Sequence, residues 1–216
     1  MMLQCCSEKK LLRQLPVLLS ISALLVVPFA ANALDVIVYD SLPQSSNGSD
    51  SVGSFGPLYD SFSTGADSGP ISSVSFLLSG DNTDGGTISA NLYADNSDTV
   101  GGLISALGTI SDASLTGGLS VVNLPLGSNP SLNTGTRYWI GLSTSGSALW
   151  SYTTDTSGTG VNGEFFQNSN GTFPNNPDGG YQMQVALASV PEPSTFVLEM
   201  IALAALGVFA RRRRLA

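Results

Sequence analysis

Short apolar–polar alternations, each closed by a cluster of turn-forming residues, run through residues 34–188. Successive side chains of a strand point to opposite faces, so a period of two assigns one face to a core and the other to solvent. Residues 35–39 form the first such run. In residues 71–78, Ile71, Ser73, Ser75 and Leu77 fall on one face and Ser72, Val74, Phe76 and Leu78 on the other. Residues 87–93 align Ile88, Ala90 and Leu92, and residues 103–110 and 119–126 follow. Residues 137–142 align Tyr138, Ile140 and Leu142; residues 148–152 are a short aromatic run; residues 181–187 align Tyr181, Met183, Val185 and Leu187. Between them, residues 80–86, 95–98, 116–118, 127–130 and 174–180 are dense in Gly, Asn, Asp, Ser and Pro. Those residues accept positive φ or pre-set a bend. No window of 11 or more residues carries a helical period. The pattern predicts an all-β domain, an antiparallel β-sandwich of jelly-roll-like arrangement.

Charge and the absent residue types narrow what that domain can do. Arg137 is the only cation between residues 34 and 190, against 13 Asp and Glu, which leaves that segment at −12. So acidic a surface repels phosphate backbones, and nucleic acid is excluded as a partner. The chain has no histidine, which removes the commonest general base and zinc ligand. Its two cysteines, Cys5 and Cys6, precede the first apolar run. A domain at residues 34–188 therefore has no disulfide and no thiol chemistry. It must stand on burial and backbone hydrogen bonds, for which about 150 residues suffice.

Both ends read as addresses. Lys9, Lys10 and Arg13 precede an apolar stretch at residues 15–30, and Ala31-Asn32-Ala33 offers small residues at the positions a signal peptidase reads. Residues 1–33 are expected to be a signal peptide, cut after Ala33. At the other end come Val190, Pro191, Glu192, Pro193, Ser194 and Thr195. An apolar run at residues 196–210 follows, interrupted by Glu199, and then Arg211, Arg212, Arg213 and Arg214. Fifteen helical residues span roughly 22 Å, short for a hydrocarbon layer of about 30 Å. The arginines are expected to stay on the cytoplasmic side.

That order of parts resembles the PEP-CTERM sorting signal: Val-Pro-Glu-Pro-Ser-Thr, a short apolar helix, an arginine cluster. The resemblance covers residues 190–216 and implies recognition and cutting by exosortase, a membrane protease-transpeptidase of exopolysaccharide-making Gram-negative bacteria. Residues 74–78, 88–93 and 132–142 resemble a choice-of-anchor domain, a β-sandwich found in exported bacterial proteins. This second resemblance implies a fold and a location but no chemistry. Three segments are thus expected: a signal peptide (1–33), a β-sandwich (34–188) and a sorting signal (189–216).

Few residues stand out as chemistry. Asp81, Asp84, Asp95 and Asp98 lie in turns whose carboxylates and carbonyls could hold one structural calcium. The same residue types are ordinary turn formers, and that reading is preferred because the distant Glu of a calcium loop is missing. Trp139, Trp150, Tyr152, Phe165, Phe166 and Phe173 could stack on sugar rings, with Trp139 and Trp150 the leading candidates. The competing reading, again preferred, places them in a two-sided core. Glu164 is the only Glu between residues 34 and 190, a poor start for a paired-carboxylate glycosidase. The expectation is a non-enzymatic exported protein, held transiently in the inner membrane by its C-terminal helix. Signal peptidase and exosortase would process it, and it would then serve a structural or adhesive role with exopolysaccharide at the cell surface or in the biofilm matrix. A carbohydrate-binding module with a defined glycan is the alternative.

Overall fold

Twelve extended residues make β4 (Gly69–Gly80), the strand on which one of two antiparallel sheets is built. The structure, a computed structural model, describes residues 35–80 and 85–188. Along β4, Ser75 pairs with Gln184 of β14 (Met183–Leu187) on one side and with Asn123 of β7 (Ser120–Asn123) on the other. Strand β1 (Val36–Asp40) pairs with the outer edge of β14, so the order is β1-β14-β4-β7. Strand β10 (Ala148–Thr153) continues this sheet beside the end of β4 and carries β2 (Gly48–Ser51) and β13 (Gly180–Tyr181). The two-residue β8 (Ser131–Leu132) pairs with the start of β4. The second sheet runs β12 (Gly171–Pro174), β11 (Phe165–Asn168), β3 (Leu58–Ser63), β9 (Arg137–Thr144), β5 (Thr87–Asp95), β6 (Val100–Ser111).

The core forms where the two alternating faces meet. Val74, Phe76, Leu78, Met183, Val185 and Leu187 come from one sheet, and Leu58, Phe62, Ile88, Leu92, Ile140 and Leu142 from the other. Each is buried, and each contributes roughly 1.5–3 kcal/mol relative to an exposed position. Trp150 lies inside this core. Its ring stacks on Tyr181 at 4.8 Å, meets Phe76 edge-on at 5.4 Å, and its Nε1 donates to the Gln182 carbonyl at 2.9 Å. The faces expected for residues 87–93 and 183–187 are the ones observed.

Ile71 departs from the expected face. Strict alternation places it with Ser73, Ser75 and Leu77, yet it is fully buried beside the Val74–Leu78 face. The register of β4 against β14 shifts between Ser73 and Ile71, and such a bulge re-aims one side chain across the sheet. Strand β6 likewise carries register shifts against β5, so Leu107 and Ile110 are buried while Leu103 and Ile104 face solvent.

Trp139 is a second departure. It points away from Tyr138 and Ile140, so alternation leaves one face or the other less buried, yet both it and Ile140 are 0% exposed. A local cover accounts for this. The Trp139 indole donates to Asp95 Oδ1 at 2.8 Å. Beside it Gly141 has no Cβ, which would otherwise lie 2.5 Å from the Tyr59 ring. Tyr59 and Tyr93 therefore meet edge-on at 5.4 Å over the strand. Arg137 reaches across, its Nε 3.0 Å from Glu164 Oε2, its Nη2 donating to the Gly163 carbonyl, and its guanidinium 4.9 Å above the Phe165 ring. Asp98 pairs with Nη1 of the same guanidinium, and Ser61 donates to Glu164.

The expected terminal helices lie outside the described residues. Among the described residues, Asp112–Ser114 and Asn175–Asp178 are single turns, and no helix is long and apolar enough to cross a membrane.

Two outcomes are expected in denaturant unfolding. Trp150→Ala lowers stability by about 3–5 kcal/mol, the cost of a large core cavity. Arg137→Met costs about 2–3 kcal/mol at neutral pH because it leaves the Glu164 carboxylate buried without a counter-charge. Glu164→Gln in the same background restores most of that loss, and an additive double variant rejects the mechanism.

Candidate functional site

The sequence-selected residues fall into three places. Asp95 and Asp98 do come together at one turn, where Ser97 and Asp98 adopt positive φ. Three of their four carboxylate oxygens are already engaged. Asp95 accepts from Trp139 and, at 3.4 Å, from the Asp98 N–H, while Asp98 pairs with Arg137. A guanidinium at the same point opposes a second cation there. Asp81 and Asp84 lie outside the described residues. Among the described residues, no group of three His, Cys, Asp or Glu side chains could hold a metal ion. Trp139 and Trp150 are both 0% exposed, so neither presents a face to a sugar ring, and of the two readings weighed for them the packing one fits their burial. Ala31, Ala33 and the sorting residues Val190 to Thr195 and Arg211 to Arg214 lie outside the described residues.

A fully buried acid, Asp60, was missed by the sequence reading. Asp60 sits on β3 between Leu58 and Phe62, at an inward position that the pattern reserves for an apolar residue, and it is fully buried. Its partners are neutral. Asn175 Nδ2 donates to Oδ1 at 3.3 Å, and the Tyr39 hydroxyl lies 3.4 Å from Oδ2. Burial pushes the Asp60 carboxyl well up; Asn175 pulls against that and the Glu164 charge adds to it. Burial, then the Asp60 charge, pushes the Tyr39 phenol up as well. Glu164 is also raised by burial, with Ser61, Ser63 and Arg137 holding it back. Asp60 and Glu164 lie behind opposite faces of the same sheet and both are closed to solvent, so what they govern is stability against pH.

A cleft of about 290 Å³ opens where the sandwich fails to close, at the small end of the range for ligand sites. Paired residues in an antiparallel ladder share a face. Asp50 pairs with the core residue Trp150 and so points inward from β2, and Tyr152 follows Trp150 by two residues. Phe173 pairs with Phe166 and points inward from β12, and Asn168 follows Phe166 by two. The walls thus come from the edges of both sheets, with Asp178 and Gly179 at one end. Phe166 and Phe173 stack at 5.4 Å. The Tyr181 hydroxyl donates to Asp50 Oδ2 at 2.8 Å and stays protonated, pushed up by burial and by that bond. Tyr152 lies over Gly48, where a Cβ would come within 2.5 Å of the Tyr152 hydroxyl oxygen. Sequence reasoning weighed Tyr152, Phe166 and Phe173 but not Asp50 or Asn168. Their signal, a polar residue at core parity, becomes visible only when the strand pairing is known.

Asp60 provides a pH test. A folded-state pKa above the unfolded one contributes stability below the unfolded value and loses it as pH rises through the folded value. The unfolding free energy of Asp60→Asn in urea is therefore expected to gain on the parent as pH climbs from about 4, by about 1.4 kcal/mol per unit of raised pKa traversed. A constant difference between the two proteins across pH 4–8 removes Asp60 as the cause.

Comparison with known proteins finds one match. Residues 189–214 match the family described as the PEP-CTERM protein-sorting motif. No curated protein and no solved structure matches the chain. The chain carries a PEP-CTERM signal, which marks an exported protein anchored at a membrane before exosortase processes it.

Proposed function

We propose that the β-sandwich is a non-catalytic structural or adhesive domain, delivered to the surface or extracellular matrix of a Gram-negative bacterium and in contact with exopolysaccharide there. The sorting motif at residues 189–214 carries this reading, since it sets the route of whatever domain precedes it. Supporting it, β1-β14-β4-β7 facing β3-β9-β5-β6 is the strand order of a jelly roll, the arrangement proposed for this domain and common among binding domains. The choice-of-anchor resemblance belongs to the same reading. Signal peptidase reads the small residues Ala31 and Ala33 and cuts after Ala33, and exosortase acts at the segment of Pro191, Glu192 and Pro193. Catalysis has no part in this reading: without histidine there is no ordinary nucleophilic triad.

A carbohydrate-binding module with a defined glycan is the second reading. The edge cleft favours it, because aromatic rings and hydrogen-bonding side chains converge there. Retention on a broad range of surface polymers supports the adhesive reading, and retention on one defined glycan supports the module.

Intact-mass measurement of the protein from cells with active exosortase tests the route. The mature chain is expected to lack residues 1–33 and 196–216, and Pro191→Ala with Pro193→Ala is expected to preserve the C-terminal tail. A wild-type chain still ending at Ala216 in those cells overturns the reading.

A further inference from the structure

The edge cleft also carries information about which sugars it admits. Its inward positions are where the sandwich pattern calls for apolar side chains, and the chain instead supplies Asp50 from one sheet and Asn168 from the other. Polar residues at core-facing positions depart from the sandwich pattern, and these two differ from the sealed Asp60 in where they lie. Both are partly solvent-accessible through the cleft rather than sealed in. Of the Asp50 carboxylate, Oδ2 holds the Tyr181 hydroxyl, and Oδ1 has no hydrogen-bond partner among the described residues. The Tyr152 hydroxyl, on the same wall, also has none among them. The half-buried Tyr152 and Phe173 stand on opposite walls and give the cleft apolar faces.

The charge in the cleft decides the class of ligand. Asp50 and Asp178 both line it, and no Lys or Arg does. Arg137, the sole cation of residues 34–190, is bound to Glu164 and Asp98. A carboxylate, sulfate or phosphate on a ligand would meet two like charges with nothing to offset them. Hydroxyl and amide N–H donors suit Asp50 Oδ1; Asn168, whose Oδ1 takes the Asn170 N–H at 2.9 Å and whose Nδ2 lies 3.5 Å from the Tyr181 hydroxyl, keeps one lone pair and one N–H for a ligand, and the C–H face of a pyranose suits an aromatic ring. We propose that this cleft between β2–β10 and the β11–β12 hairpin binds one or two residues of a neutral or N-acetylated glycan and rejects uronate or sulfated ones. The inference deepens the exopolysaccharide-contact reading above and rests on it.

The test uses the processed protein recovered from producing cells. Three soluble probes are titrated against it: a mannotetraose, an N-acetylglucosamine tetramer and a tetragalacturonate. At least one of the first two is expected to bind, with the tetragalacturonate at least about tenfold weaker. Phe173→Ala is expected to weaken the binding probe about tenfold. Asp50→Asn combined with Asp178→Asn is expected to narrow the gap to the uronate. The exposed Asp178→Asn change alone is the control that keeps the fold, and each variant's melting curve is compared with the parent. Equal binding of uronate and neutral probes overturns the ligand class. Undiminished binding by a folded Phe173→Ala protein, or no binding of either neutral probe, overturns the site. If the cleft fails while extracted exopolysaccharide still retains the protein, the matrix reading stands without it. If that polymer too is not retained, the matrix reading falls as well.

Discussion

One guanidinium has to serve a domain with 13 carboxyl groups, and where it is placed decides much of the rest. Arg137 opens β9, reaches over Phe165 and binds Glu164, the most deeply set acid on that outer face. With that charge compensated, the segment before β11 can lie down on the sheet. Trp139 and Gly141 are then covered on the side that alternation would leave to water. The strand ends up buried on both faces, and such a strand fixes the register of its neighbours β3 and β5 strongly, because a one-residue slip would exchange two packed surfaces. The cost appears at Asp60. No second cation exists for it, so it is buried among neutral donors and its carboxyl shifts upward. Acidity, useful for an exported soluble domain, is thus in tension with the core.

Several elements were legible because period two is a local property. The buried sets Ile88, Ala90 and Leu92, and Met183, Val185 and Leu187, follow directly from spacing. Ile71 was not legible, since its burial depends on a bulge against β14, more than a hundred residues away in sequence. Trp139 fails for a related reason. Its indole N–H is taken by Asp95, 44 residues away in sequence, and nothing around position 139 announces that. Trp150 was ambiguous between core and surface until Phe76 and Tyr181 were seen against it. The candidate site was illegible for the same cause. Asp50 lies in Gly-Ser-Asp-Ser, which reads as loop, and only its pairing with Trp150 shows which way it faces.

That polar strand also explains why the sandwich stays open at one edge. A strand of Gly, Ser and Asp has no apolar face to close against the opposite sheet. Across the gap, β12 presents a single Phe and begins with Gly171 at φ 131°. Both are short edge strands with polar ends, a form that discourages pairing with other chains. The feature that protects the edges from aggregation thus leaves the cleft between them.

The C-terminal signal gains meaning from where the fold ends. The last strand, β14, is interior to its sheet, between β1 and β4, and Ala188 still donates to the Pro70 carbonyl. The sorting motif begins at the next residue. From Leu187 to Phe196, where the apolar run opens, is nine residues, at most about 30 Å even when fully extended. An anchor seated in that apolar run would hold the sandwich within that distance of the bilayer. The acceptor strand of the tail is also too well tied into the sheet to be drawn out without unfolding the domain. Processing on such an anchor would act on a segment flanked by a folded body on one side and a membrane on the other. The Pro191-Glu192-Pro193 run suits that place, since neither proline can donate to a ladder and β14 cannot extend through it.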